Sequence, residues 1–177
     1  MKTVFFDIDS QLDFLYPAGA LYVPNAERIV PAITRLNRFA AAHGIPVVST
    51  TDAHAENDPE FSVWPPHCIA GTWGQRKPEA TLVAGPSQII VEKQTVDVFL
   101  SPALVRVVEQ LNADRYVVYG VVTEICVLYA VRGLLKTGKP VTLVTDAVAA
   151  LTAEASARAL EEVRASGGTL ATVSEIC

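Results

Sequence analysis

The sequence predicts a three-layer α/β fold, in which helices cover both faces of a doubly wound, mostly parallel sheet of six strands. Short β-branched apolar runs alternate with helical patterns from one end of the 177 residues to the other. The runs are almost continuously apolar, which is typical of strands buried on both faces of a parallel sheet. Because no internal repeat or linker is visible, we expect residues 1–177 to form a single domain.

Each element is predicted from its apolar periodicity and from residues that start or stop helices. The six strands are "KTVFFDID", "IPVVSTTD", "QIIVEK", "RYVVYGVV", "PVTLVTDAV" and "TLATVS". The helices are "NAERIVPAITRLNRFAAAHG", "SPALVRVVEQLNA", "TEICVLYAVRGLLKTG" and "TAEASARALEEVRASGG". We expect Asn25 and Ser101 to cap two helices, and Gly44 and Gly138 to end two.

Residues 52–86 show no periodicity and form the longest irregular segment of the chain. Loops of this length are usually functional or disordered. Trp64 and Trp73 lie within the segment and favour an ordered loop. We therefore expect the segment to contribute to a site.

Composition and charge exclude several classes of protein. The 14 basic residues are scattered among 19 acidic ones, for a net charge of −5, so nucleic acid is not an expected partner. The N-terminus lacks the apolar core of a signal peptide, and no stretch approaches the ~20 apolar residues that span a membrane. These features predict a cytoplasmic protein without membrane association. Three cysteines far apart in sequence argue against a disulfide framework.

Polar residues follow several of the apolar strands, at the edge where ligands bind in such sheets. Cys126 begins the helix after the fourth strand, where backbone amides and the helix dipole favour a thiolate. Asp9 and Lys93 follow the first and third strands and could supply a general base and a supporting ammonium. The alternatives are an inert core cysteine and a structural ion pair between Asp9 and Lys93.

Asp52, His54 and His67 offer one carboxylate and two imidazoles, a set that suits a divalent transition metal with open positions. Glu60 offers a further oxygen in the same long segment. The alternative is that these loop histidines need no metal. His43 is interpreted in that way, because a histidine at the end of a helix complements the helix dipole.

The motifs "DSQLDF", "DAH", "WPPHC", "VEK" and "GVVTEICV", in this order and on these elements, resemble the isochorismatase-like cysteine hydrolases and, within them, the nicotinamidases. The resemblance extends over nearly the whole chain. It implies a catalytic triad of Asp9, Lys93 and Cys126. It also implies that the Val121–Val122 bond is a cis peptide and that the amides of Val122 and Cys126 form the oxyanion hole.

The same resemblance implies a metal site of Asp52, His54 and His67, with Glu60 at a position where the family varies its ligand. Phe14 and Trp64 match aromatic residues that pack on the substrate ring. Zinc is the expected ion, and iron and manganese also suit mixed imidazole and carboxylate ligands. The segment "KQTVDVF" is shorter than in many nicotinamidases, which places the pocket wall near Phe99 in question.

The implied activity is hydrolysis of nicotinamide to nicotinate and ammonia, within NAD salvage, through a thioester on Cys126, with the metal orienting a ring nitrogen. Three alternatives stay open at this point: the same chemistry on another small carboxamide, a metallohydrolase whose nucleophile is metal-bound water, and a metal-binding module without activity. Family members commonly self-associate, so a homo-oligomer is expected.

Overall fold

The predicted α/β fold is confirmed. The computed structural model describes residues 1–83, 85 and 87–177. Six strands form one sheet in the order β3-β2-β1-β4-β5-β6, and every paired strand is parallel to its neighbour. The strands are β1 (Thr3–Ile8), β2 (Val47–Asp52), β3 (Gln88–Lys93), β4 (Arg115–Val121), β5 (Val141–Ala149) and β6 (Thr169–Ala171).

Helices cover both faces of the sheet. They are α1 (Leu12–Leu15), α2 (Val30–Ala42), α3 (Pro102–Leu111), α4 (Leu128–Leu135), α5 (Ala153–Ala165) and α6 (Val173–Ile176). Alternate residues of β1 point to opposite faces, so that Phe6 packs in the cluster with α3, α4 and α5, while Phe5 packs in the cluster with α2 and α6. Both faces of β1 are therefore apolar core, which explains its continuous apolar run.

The expected helix starts differ from the structure in two places. Asn25 has a left-handed backbone (φ 62°) and caps no helix with its side chain, because a short 3-10 turn, Ala26–Ile29, precedes α2. Ser101 stands at the start of α3, but its side chain makes no capping hydrogen bond. Gly44 and Gly138 lie just past α2 and α4 with positive φ, as expected.

Two predicted elements are divided in the structure. The helix predicted from Thr123 begins with one π turn, Thr123–Val127, before α4. The last predicted strand ends at Ala171, and α6 follows, with a capping box between Thr172 and Glu175. That reciprocal pair of hydrogen bonds satisfies amides at the helix start and stops the strand there.

The long segment after β2 is ordered by backbone pairing to the rest of the fold. His54 pairs with Ile69 in an isolated parallel bridge, and Leu12 donates a backbone hydrogen bond to the carbonyl of Arg76. Trp73 is 57% exposed and so contributes little to this order, contrary to the expectation from its sequence. The backbone hydrogen bonds described above hold the segment in place.

The strand order reverses between β1 and β4, which are neighbours in the sheet. Open parallel sheets bind ligands outside the carboxyl ends of their strands at such a point. Gly120 of β4 passes β1 so closely that a Cβ there would lie 2.0 Å from the carbonyl oxygen of Ile8. None of the helices among the described residues is both long and apolar enough to cross a bilayer.

Candidate active site

Lys93 lies at the centre of the polar cluster beyond the strands. Its Nζ is 2.8 Å from Asp9 Oδ2, contacts Asp52 Oδ1, and is 3.9 Å from Cys126 Sγ. The pairing of β2 with β3 sets Asp52 directly beside Lys93. The structure thus brings together three residues that are predicted to be catalytic and one that is predicted to bind metal.

Asp9 follows β1 with a left-handed backbone (φ 48°), and its side chain is buried. Its Oδ1 accepts a hydrogen bond from Thr50 Oγ1 at 2.6 Å. Burial raises the pKa of the Asp9 carboxyl, and the charge of Lys93 only partly offsets this effect. A raised pKa makes the carboxylate a better proton acceptor than an exposed aspartate.

Cys126 is 8% exposed and lines a cavity, while its sulfur faces the amine of Lys93. Burial raises the pKa of the Cys126 thiol well above its usual range, and Lys93 opposes the shift while Asp9 and Asp52 add to it. Buried in this way, the sulfur favours the thiol over the thiolate. The proton of such a thiol has to leave as the sulfur attacks.

Lys93 stays charged in these buried surroundings. Burial alone would lower its pKa, but the attraction of Asp9, Cys126 and Asp52 raises it well above the usual value. The same ammonium holds the pKa of Asp52 below its usual range, although burial opposes it. Asp52 is consequently a carboxylate, the form that binds metal ions.

The candidate metal centre consists of Asp52, His54 and His67, whose ligand atoms all lie within 4.8 Å of one another. Asp52 Oδ2 is 3.8 Å from His54 Nε2 and 3.9 Å from His67 Nε2. All three side chains are buried. These separations suit donors arranged around one ion.

Both imidazoles are oriented by groups behind them. His67 Nδ1 lies 2.8 Å from the carbonyl oxygen of Pro65, and a proton on Nδ1 leaves Nε2 with its lone pair toward Asp52. His54 Nε2 is buried and has no hydrogen-bond partner among the described residues. Unpartnered ring nitrogens beside a buried carboxylate fit a divalent transition metal.

The surroundings of His54 also favour positive charge. Burial lowers its pKa, but the nearby carboxylates of Asp52 and Asp58 outweigh burial and raise the pKa to about 9. Asp58 Oδ2 lies 3.1 Å from His54 Nδ1, behind the ring. A bound cation would meet the same acidic surroundings.

Glu60 stands at the edge of this centre. Its Oε1 is 4.0 Å from His67 Nε2, and it lines the cavity, but it is not one of the three residues that form the compact ligand group. Burial raises the pKa of its carboxyl. His43, in contrast, is exposed at the end of α2, where its ring stacks on Phe39.

A cavity opens above Cys126 and the candidate metal centre. Phe14 and Trp64, the expected ring-packing residues, both line it, and so does Val122. Phe99 does not. Its ring packs so closely on α4 that a Cβ on Gly133 would lie 2.0 Å from it, and Val96 forms the cavity wall from this segment instead.

The backbone before Cys126 has the geometry that the resemblance implied. The Val121–Val122 peptide bond is cis, and both residues line the cavity. The carbonyl of Val122 accepts backbone hydrogen bonds from Ile125 (3.0 Å) and Val127 (3.2 Å). Val122 is thereby held against the turn that carries Cys126.

Two residues of "DSQLDF" have positions that the sequence did not assign. Gln11 is fully buried and hydrogen-bonded to the backbone of Asp52 in both directions, at 2.7 and 2.8 Å. Asp13 Oδ2 accepts from the amide of Cys68, next to His67, at 2.7 Å. The signal that could have found them is a polar side chain inside a motif that directly follows a buried strand.

Comparison with known proteins identifies the family of the chain. The Isochorismatase domain family matches residues 3–175. The nicotinamidase of Escherichia coli (strain K12) is 24% identical over 208 aligned positions, which cover 95% of this chain and 93% of the relative. The nicotinamidase/pyrazinamidase of Mycobacterium tuberculosis is 28% identical over 89% of this chain and 91% of the relative.

A crystal structure of the pyrazinamidase of Pyrococcus horikoshii in complex with zinc superimposes with a TM-score of 0.89. The two chains are 29% identical, and the superposition covers 97% of this chain and 99% of the other. The chain belongs to the isochorismatase family, in the nicotinamidase-like branch of its amidohydrolases.

Proposed function

We propose that this amidohydrolase converts nicotinamide to nicotinate and ammonia through a thioester on Cys126. One observation carries the proposal: the ammonium of Lys93 contacts Asp9 and lies 3.9 Å from the sulfur of Cys126, which lines the cavity. An acid, an amine and a thiol that share one buried contact are the parts needed for nucleophilic catalysis. The names of the relatives support the choice of nicotinamide.

In the first half of the reaction, Asp9 takes the thiol proton as the sulfur adds to the carboxamide carbon. The raised pKa of the Asp9 carboxyl suits this transfer, because it makes the carboxylate a stronger proton acceptor. The backbone amides of Val122 and Cys126 are the proposed donors to the oxyanion. The C–N bond then breaks, and the nitrogen leaves as ammonia with the proton from Asp9.

In the second half, Asp9 accepts a proton from water as that water attacks the thioester carbonyl. The carbon–sulfur bond breaks, nicotinate forms, and Asp9 returns the proton to the thiolate. Lys93 remains charged throughout, since its contacts with Asp9 and Asp52 hold its pKa high. Its charge stabilises the thiolate that departs.

Asp52, His54 and His67 would hold a divalent ion. Glu60 lies beside them and offers a further carboxylate oxygen. When bound, the ion supplies a ligand position for a ring nitrogen and so orients the substrate. Phe14 and Trp64 would pack on the ring, and the apolar side chains of the cavity exclude water from the reacting amide. Holding a substrate in attack geometry contributes several kcal/mol to catalysis. Zinc is the proposed ion, as in the pyrazinamidase complex, and iron and manganese suit the same donors.

The test is ammonia release from nicotinamide, pyrazinamide and a non-aromatic carboxamide by the zinc-loaded protein. We expect turnover of nicotinamide and none by Cys126→Ser. A preference for the non-aromatic amide would show that the substrate is another small carboxamide and not nicotinamide. Retained turnover in Cys126→Ala would contradict the thioester and favour a metal-bound nucleophile, and the absence of any amidase activity would favour a binding module.

Two further expectations accompany the proposal. We propose that the protein acts in the cytoplasm, within NAD salvage, and that it self-associates. Size-exclusion chromatography with light scattering tests the second. A monomer at micromolar concentration would contradict it.

A further inference from the structure

A second buried ion pair joins Asp7 and Lys77. Asp7 lies two residues before Asp9, the proposed general base. Lys77 Nζ is 2.8 Å from Asp7 Oδ2, and the two residues are 7% and 0% exposed. Ser10 joins them, since its hydroxyl donates to Asp7 Oδ1 at 2.6 Å and also accepts from Lys77 Nζ. None of these residues touches the proposed substrate cavity.

The pair anchors the end of the long segment that carries the metal ligands. Residues 74–77 run along residues 10–13: the carbonyls of Gly74 and Arg76 accept from the amides of Asp13 and Leu12, and Gln11 donates to the carbonyl of Gln75 at 2.7 Å. Lys77 is the last residue of this series, and its charged side chain is buried.

Other buried polar groups prepare the place that Lys77 occupies. Asn37 of α2 donates to Asp7 Oδ2 at 2.9 Å and to the carbonyl of Thr81 at 2.7 Å, and its own oxygen accepts from Tyr119. A buried carboxylate in the central strand is costly unless it is paired and hydrogen-bonded. The Asp7 carboxylate therefore needs a cationic partner at the position of Lys77. An apolar side chain at that position would leave the carboxylate buried without a counter-charge.

We infer that the Asp7–Lys77 ion pair, joined by Ser10, sets the register of residues 74–77 against residues 10–13 and so positions the metal ligands. Backbone hydrogen bonds alone would allow a slipped alignment, but a slip would leave the Lys77 ammonium buried without its carboxylate. The correct register places Gln11 on the backbone of Asp52 and Asp13 on the amide beside His67.

The inference rests on the proposed metal site, and it is tested by a variant that removes both charges together, Asp7→Asn with Lys77→Met. Replacing both members of a buried pair with neutral groups of similar size is often neutral for stability. We expect the thermal midpoint of the metal-free protein to change by less than about 4 °C. Zinc affinity, measured by competition with a chromophoric chelator, should fall about tenfold or more.

Hydrogen exchange provides a readout that does not need metal. The amides of Leu12 and Asp13 should exchange faster in the double variant. Their hydrogen-bond acceptors lie in residues 74–77, which would no longer be held in one register. The matched control is Arg132→Met with Glu162→Gln, which removes an ion pair whose side chains are each 40% exposed. That variant should leave zinc affinity and exchange at these amides unchanged.

Unchanged zinc affinity and unchanged exchange in the double variant would overturn the inference. A loss of affinity that only accompanies a large fall in the thermal midpoint would also overturn it, since it would show a general structural role. If the double variant does not fold, Ser10→Ala decides, because it removes one hydroxyl: weaker zinc binding supports the inference and unaltered binding overturns it. A wild-type protein that binds zinc but releases no ammonia contradicts the proposed function and leaves this inference standing.

Discussion

The side-chain amide of Gln11 makes two hydrogen bonds to the backbone of Asp52. Its Oε1 accepts from the Asp52 amide at 2.7 Å, and its Nε2 donates to the Asp52 carbonyl at 2.8 Å. Gln11 lies two residues after Asp9, so one short segment carries the proposed general base and also holds the first of the proposed metal ligands. The proposed catalytic and metal-binding residues are therefore linked by direct hydrogen bonds.

Replacing Gln11 with leucine tests whether its hydrogen bonds to Asp52 support metal binding. Gln11→Leu leaves a buried donor and a buried acceptor of Asp52 without partners, each at a cost of about 1–3 kcal/mol. We expect a lower thermal midpoint and a loss of zinc affinity of about 10- to 100-fold. Calorimetric titration of zinc measures the second effect. Unchanged affinity would show that Asp52 is held in place without Gln11.

Removing the amine of Lys93 should be strongly destabilising. Lys93→Met leaves the carboxylates of Asp9 and Asp52 buried and facing each other, and breaking a buried pair in this way costs about 3–5 kcal/mol. Urea unfolding measures the loss. As a comparison, Arg132→Met breaks a half-exposed ion pair with Glu162 and should cost no more than about 1 kcal/mol. Equal losses in the two variants would contradict the buried pairing.

The two kinds of histidine in the chain should respond differently to substitution. His67→Ala removes one of three donors of the proposed centre, and we expect stoichiometric zinc binding to be lost at micromolar concentration. His43→Ala removes an exposed ring that stacks on Phe39, and one equivalent of zinc should still bind. Metal analysis after gel filtration gives the stoichiometry. Equal zinc content in both variants would exclude His67 as a ligand.

The wall of the cavity is tested by neighbouring residues of one segment. Val96→Ala enlarges the cavity, and we expect a changed KM for nicotinamide with little change in stability. Phe99→Ala removes a partly buried ring packed on α4 beside Gly133, and we expect a loss of stability of about 0.5–3 kcal/mol with KM unchanged. Steady-state kinetics and thermal melts separate the two. A KM effect confined to Phe99→Ala would return that residue to the cavity.

Much of this protein could be predicted from local patterns. Continuous apolar runs indicated parallel strands, and each predicted strand lies within a residue or a few of an observed one. Because parallel strands end at the same edge of a sheet, Asp9, Asp52 and Lys93 could be expected to lie together before any distance was known. The family resemblance at Cys126 implied the cis bond before it, whereas the π turn that carries Cys126 was predicted as the start of an α-helix.

The sequence by itself determined the class of fold, the edge at which the site forms and the kinds of side chain in it. Tertiary structure alone decided that one ammonium contacts two carboxylates and a thiol, that burial raises the pKa of that thiol, that Phe99 points away from the cavity, and that Lys77 enters the core at Asp7. The physical reason is that these outcomes depend on register, side-chain direction and burial between segments far apart in sequence. Local periodicity carries no information about any of the three.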